Sequence, residues 1–311
     1  MQIHVYPERR KQDKFDRLIV FIHGGAWVSG SVENVSDTCR ALACRTDIPV
    51  VAVSYRKSGI APSYLRTVLC LQLVVLLIIG KSTSSRVITV VCVILCVFMS
   101  VLLLTYLFDD ANQRRVIHPA HVEDVSAAIA RAVDEHGVGR DNTELIICGH
   151  SAGAHLAALV SLAGRFLAKH DISVNRIRGC VCLSGVYSLA ITRASVAKLL
   201  LSSVFGDVDD TVDTVFNDTA IGGKISHATV VDAFPLAHVA PNCCPFFIAI
   251  GGGEFALNTH ARDFAMGIRD VGGMVTVKRY EHKSHLSIRK DWERADDEVG
   301  MDVSNFIRQL V

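Results

Sequence analysis

Apolar residues in this chain gather into short, uninterrupted runs separated by segments with helical spacing. RLIVFI (17–22), IPVVAV (48–53), ELIICG (144–149), IRGCVCL (177–183) and PFFIAIG (245–251) are apolar at consecutive positions. Strands of that kind are buried on both faces, as in a parallel sheet covered by helices. QIHVY (2–6) and MVTVKRY (274–280) alternate instead and predict strands with one exposed face. Between the runs, apolar positions recur at helical spacing in VENVSDTCRALACRT (32–46), HPAHVEDVSAAIARAVDEHG (118–137), AGAHLAALVSLAGRF (152–166), ARDFAMGIRDVG (261–272) and DEVGMDVSNFIRQL (297–310). Pro119 near the start and Gly137 at the end punctuate the second of these. Strand alternating with helix predicts an α/β fold built on a doubly wound, mostly parallel sheet.

One region breaks the pattern. TVLCLQLVVLLIIG (67–80) and VITVVCVILCVFMSVLLLTYLF (87–108) carry no charge, and only KSTSSR separates them. As a helix the second run spans roughly 33 Å, enough for a bilayer, and the first about 21 Å, which is short for one. The expectation is one catalytic domain, 1–66 and 109–311, interrupted by an apolar insert at 67–108 that forms a two-pass membrane hairpin. A hairpin returns the chain to the side it left, as an insert within one fold must. A buried helical hairpin and a translated non-coding insert are the alternatives. Arg56, Lys57, Arg66, Arg114 and Arg115 flank the insert on the domain side, against Lys81 and Arg86 in its loop. That bias predicts a cytosolic catalytic domain on an endomembrane. Without the insert the expectation is a cytoplasmic protein.

Composition changes this picture little. The mean hydropathy of +0.35 is high for a globular domain, and the insert supplies most of the excess. A net charge of +1 with no Lys/Arg block argues against nucleic acid as a partner. The ten cysteines are scattered, with no zinc spacing, and read as reduced thiols. The polar start, MQIHVYPERRKQDKF, is not a signal peptide.

The chemistry begins at GHSAG (149–153), which fits G-x-S-x-G between a strand and a helix. Such a turn lifts the serine hydroxyl above the sheet, beside a helix N-terminus that favours negative charge. Ser151 is the candidate nucleophile. HGGAW (23–27) follows an earlier strand, and its small residues let backbone N–H groups approach an oxyanion. Gly24, Gly25 and Ala26 are the candidates for one or two donors, with Gly24 and Gly25 favoured, and Ala152 after the serine supplies another. The base is expected after the last strand, where His282 and His285 stand; His285 is favoured. His155 reads as a helix-packing residue and His23 as a hydrogen-bonder within its loop. The carboxylate is expected between serine and histidine, after a strand. Glu254 fits, with Asp263 and then Asp270 as alternatives. The set Ser151, His285 and Glu254 requires no metal and no cofactor.

FIHGGAW, VSYR, HPAHVEDVSAAIA, GHSAGAHLAAL, LSGVYSL, FPLAHVAPNCCPFFIAIGGGE and KSHLSI together resemble the α/β-hydrolase superfamily. The resemblance is to the HGGxW/GxSxG esterase branch that holds kynurenine formamidases and prenylcysteine methylesterases, and it covers about 1–66 and 109–311. It implies a triad of Ser151, Glu254 and His285 with an oxyanion hole at Gly24 and Gly25. Three departures stand out. The acid loop reads GGGEFA where relatives often carry aspartate. Little chain precedes the HGG strand, so one outer strand is expected to be missing. The apolar insert replaces a short loop.

The function these residues predict is a serine hydrolase for a carboxylic ester or an activated amide such as a formamide. Its substrate would be a small molecule or, if the insert enters a membrane, a lipidated ester. The alternative is a catalytically dead, membrane-tethered binding protein on a hydrolase fold.

Overall fold

The computed structural model describes residues 2–7, 13–58, 116–188 and 231–310. The 67–108 stretch, and with it the expected membrane hairpin, lies outside these residues. Among the described residues no helix is long and apolar enough to cross a membrane.

One sheet holds seven strands among the described residues: β1 (Ile3–Tyr6), β2 (Arg17–Ile22), β3 (Val50–Val53), β4 (Glu144–His150), β5 (Ile177–Leu183), β6 (Phe246–Gly251) and β7 (Val275–Tyr280). Their order is β1-β3-β2-β4-β5-β6-β7. β1 runs antiparallel to β3 at the edge, and every other pair is parallel. The helices are α1 (Ser36–Thr46), α2 (Ala120–His136), α3 (Ala152–Leu162), α4 (Phe255–Asp270) and α5 (Glu298–Gln309), with a few single turns besides.

The consecutive apolar runs divide between two cores, one on each face of the sheet. Leu18, Val20 and Ile22 of β2 join Leu145 and Ile147 of β4 against α2, α3 and α4. Ile19 and Phe21 join Ile146 and Cys148 against α1 and α5. All of these β2 and β4 side chains are fully buried. Burying each of the larger ones contributes about 1.5–3 kcal/mol, so the central strands form a rigid platform.

Several helix bounds differ from the sequence expectation. The predicted helix 152–166 stops at Leu162, and a separate turn covers Arg165–Ala168. Gly164 allows the break and packs against Val174, within 3.1 Å of where a Cβ would stand. The helix predicted over 261–272 begins earlier, at Phe255, with Glu254 at its N-cap position.

Parallel strands place all their C-terminal ends on one edge, which is where open α/β sheets hold their sites. HGG follows β2, Ser151 follows β4, Ser184 follows β5, Glu254 follows β6 and His285 follows β7.

Candidate active site

Ser151 stands between β4 and α3 with φ 56° and ψ −119°, a conformation that a non-glycine residue adopts only under constraint. The constraint is packing. A Cβ on Gly149 would strike the Gly153 carbonyl, and one on Gly153 would strike the Ile22 carbonyl at the end of β2. The glycines therefore let α3 pack directly against the sheet, and the turn between them becomes tight. The Ser151 N–H donates to the Leu183 carbonyl at 2.8 Å, which ties the turn to β5. Ala26, Trp27 and Ser184, all in neighbouring loops, also have positive φ. Backbone strain thus gathers at this edge of the sheet.

The structure brings Ser151, His285 and Glu254 together in a line. The Ser151 hydroxyl lies 3.0 Å from His285 Nε2, in position to donate to it. On the far side of the ring, His285 Nδ1 donates to Glu254 Oε1. The other carboxylate oxygen accepts from the Gly251 N–H at 2.7 Å and from the Ser184 hydroxyl. The Glu254 side chain is 8% exposed. Burial pushes its carboxyl up, but the hydrogen bonds from His285, Ser184 and Gly251 outweigh this and hold it below the usual carboxylate range. A longer acid than aspartate is thus accommodated because its far oxygen has two donors of its own.

The other candidates lie elsewhere. His282 is exposed, three residues before His285. Asp263 pairs with Arg262 at 3.1 Å on the outer side of α4, and Asp270 is exposed. His155 is buried, faces Trp27 and Phe234 edge-on, and donates to the Ala233 carbonyl at 2.8 Å. Burial pushes its pKa down to about 3, so it remains a neutral packing residue. His23 stacks on Tyr55 at 4.5 Å and donates from Nδ1 to the Gly24 carbonyl at 2.7 Å. Burial lowers its pKa as well.

The HGG loop lies against the serine turn. A Cβ on Gly24 would come within 3.2 Å of the Ser151 Cβ. Gly25, Ala26 and Trp27 have successive positive φ values, and the Gly25 carbonyl is turned inward to accept from Val28 and Ser29. Among the described residues, the Gly24 and Gly25 N–H groups have no backbone acceptor. Ala152 is the first residue of α3, where N–H groups have no partner within the helix. Three N–H groups that an oxyanion would satisfy therefore stand in the segments flanking the Ser151 hydroxyl. Among the described residues no cluster of His, Cys, Asp and Glu could hold a metal ion.

Sequence reading missed two members of this arrangement. Ser184 supports the acid; its place at the C-terminal end of β5, beside β6, was the available signal. His150, between Gly149 and Ser151, donates from Nε2 to the His285 main-chain carbonyl at 2.6 Å. Nothing in the pattern distinguishes that position from any other between two small residues.

Solved structures show the same architecture. An esterase from Pyrobaculum calidifontis superimposes with a TM-score of 0.61 at 17% identity, covering 99% of this chain and 81% of that one. A thermophilic carboxylesterase cloned from a metagenomic library gives 0.59 at 18% identity, covering 99% and 84%. An arylesterase gives 0.57 at 18% identity, covering 99% and 80%. These identities are low and speak for the fold alone. A search of curated proteins finds no match. A family model described as alpha/beta hydrolase fold matches residues 19–63 and 106–289, on either side of a gap that contains most of the apolar insert. With most of its length matched, the chain belongs to the α/β-hydrolase fold family.

Proposed function

We propose that the protein is a serine hydrolase that cleaves carboxylic esters or activated amides through Ser151, His285 and Glu254. The observation that carries this reading is the unbroken hydrogen-bonded line from Glu254 through His285 to a strained Ser151. In this reading the Ser151 oxygen attacks the substrate carbonyl as its proton passes to His285 Nε2. Glu254 holds the Nδ1–H tautomer and stabilises the imidazolium that forms. The N–H groups of Gly24, Gly25 and Ala152 take the oxyanion, each such donor contributing about 3–4 kcal/mol in the transition state. His285 then returns the proton to the leaving group. Water, activated by the same histidine, releases the acyl group. No step calls on a metal or cofactor.

The family match stops at residue 63 and resumes at 106. That supports reading 1–66 and 109–311 as one catalytic domain and 67–108 as an insertion in it. For the substrate, the residues resemble those of formamidases and prenylcysteine methylesterases, and the fold neighbours are named as esterases. A small-molecule ester is the substrate class this combination favours.

A fluorophosphonate probe tests the mechanism. It is expected to label the folded protein at Ser151 and to leave Ser151→Ala untouched. Folded wild-type protein that takes no label would end the enzyme reading and leave a binding protein. Turnover of p-nitrophenyl butyrate, N-formylkynurenine and farnesylcysteine methyl ester, compared side by side, then separates a general carboxylesterase from the two narrower activities.

A further inference from the structure

His150 ends β4 and pairs with Leu183 of β5, so its main chain is fixed in the sheet. Its side chain is buried and points across the site rather than into the core. Nε2 lies 2.6 Å from the main-chain oxygen of His285. A carbonyl only accepts, so Nε2 carries the proton. The two imidazole rings sit 4.8 Å apart at 48°. The opposite edge of His150 faces the HGG loop: a Cβ on Gly24 would lie 2.8 Å from its Nδ1. One side chain thus touches the elbow, the oxyanion loop and the loop that bears the base.

The His285 loop needs such a tether. It leaves β7 at Tyr280, and the His285 side chain is 40% exposed. Its other anchors lie on either side of His285: after it, the Ser287 hydroxyl accepts from the Ser284 N–H at 2.8 Å and the Ile288 N–H donates to the Ser284 carbonyl at 3.1 Å. The Lys283 carbonyl accepts from the Gly252 N–H at 3.1 Å, and the Lys283 ammonium pairs with Asp291 and Asp297. One residue, Ser284, separates the Lys283 anchors from His285.

We propose that His150 is a positioning residue: its Nε2–H, bonded to the His285 carbonyl, fixes the base loop against the elbow and sets the Ser151–His285 distance. The proposal rests on the hydrolase reading above. Burial pushes the His150 pKa down to about 3, so the ring stays neutral and the donor stays in place across the working pH range. A misplacement of about 1 Å in a catalytic group costs about 100-fold in rate.

Two substitutions separate this role from mere core filling. His150→Phe keeps the ring and removes the donor; His150→Gln loses the ring but keeps an amide N–H at similar reach. Positioning predicts that His150→Phe lowers kcat on p-nitrophenyl butyrate by about 100-fold with KM unchanged. His150→Gln is expected to recover most of that loss. Core filling predicts the reverse order. Wild-type kcat in His150→Phe would overturn the proposal, as would a folded His150→Gln as slow as His150→Phe. If His150→Phe fails to fold, His150→Asn replaces it, since its shorter amide falls short of the carbonyl; near wild-type kcat there would also overturn the proposal. Fluorophosphonate labelling of each protein keeps the two readings apart. Unlabelled wild type sinks the hydrolase reading and the positioning role with it. Labelled wild type with an equally fast His150→Phe sinks the positioning role alone.

Discussion

Ser151 Oγ and His285 Nε2 are 3.0 Å apart; Ser58 Oγ and His121 Nε2 are 2.9 Å apart. Each pair has a carboxylate nearby, Glu254 in one and Asp124 in the other. The second constellation lies where α2 packs under the chain leaving β3, and its protons run the other way. Ser58 donates its hydroxyl to the Val116 carbonyl, so the His121 nitrogen facing it must itself be a donor. A nitrogen that holds a proton cannot take one from the serine. Asp124 does not reach the ring either: its two oxygens receive the Arg56 guanidinium at 2.7 and 2.8 Å, and one also receives the Arg56 N–H. Ser58 is fully buried, whereas Ser151 and His285 are partly open. The distance between serine and histidine is therefore a poor mark of catalysis. Proton direction, the engagement of the carboxylate, and access decide it.

The strongest test of that contrast removes each serine in turn. Ser151→Ala is expected to lower kcat by about 10⁶-fold, as loss of a nucleophile in such a unit does. Ser58→Ala should leave kcat unchanged in folded protein and lower the melting temperature, because the Val116 carbonyl and His121 lose their partner. Ester hydrolysis and thermal unfolding of the two variants check both halves. Equal losses of kcat would erase the distinction between the pairs.

The acids come next. Glu254→Gln removes the charge that stabilises the imidazolium and can hold the wrong tautomer, for a loss of about 10⁴-fold in kcat. Asp124→Asn breaks a pair whose arginine is 59% exposed, so the cost is about 1 kcal/mol of stability and none of the chemistry. Asp263→Asn is expected to be silent on turnover. A large kcat loss there, with Glu254→Gln active, would move the triad acid into α4.

Gly24→Ala probes the part that the second constellation, a clamp of Ser58, His121, Asp124 and Arg56 at α2, lacks. Its Cβ would meet His150 Nδ1 and the His150 carbonyl at 2.8 Å, so the HGG loop must move away from the serine. The expected loss is about 10²–10³-fold in kcat, that of one oxyanion donor, with protein stability reduced less than the rate. Steady-state kinetics beside thermal unfolding reads both.

The elements that the structure brings together around Ser151 were legible in the sequence because their parts are local. GHSAG needs its glycines for packing, HGG needs small residues beside the elbow, and both announce themselves as short strings after apolar runs. Glu254 and His285 followed from their order along the chain. The clamp was not legible as a clamp. Arg56 and Ser58 lie in and beside VSYR, and His121 and Asp124 in HPAHVED, with the apolar insert between the two segments. Their pairing is a long-range contact that no periodicity encodes. In the sequence HPAHVED belongs to the stretches that carry the resemblance; in the fold, its His121 and Asp124 hold α2 to the chain after β3. His150 escaped notice for a related reason. Its partner is a main-chain carbonyl, and a carbonyl has no sequence signature.

The smallest effect is a pH dependence that belongs to the clamp rather than to the triad. Burial pushes the His121 pKa from its ordinary 6.5 down to about 4, with Asp124 opposing the shift and His118 and Arg56 adding to it. Because the folded value is the lower one, the unfolded chain takes up the proton first. The stability His121 contributes is complete above pH 6.5, declines as the pH falls towards 4, and amounts to roughly 3 kcal/mol over that window. The lowered carboxyl of Glu254 acts in a different window: its contribution is present above 4.5 and is lost as the pH falls through its depressed folded value. Between pH 6.5 and 4.5, then, the buried histidines govern the slope and the triad acid does not. His121→Gln keeps an N–H for Ser58 and removes the titration. Its melting temperature should fall less steeply than that of the wild type across this window, while kcat at pH 8 stays the same. Buried His23, His118, His150, His155 and His260 have lowered values too, so the slope is reduced rather than abolished. An unchanged slope in His121→Gln would mean that His121 is protonated in the folded protein.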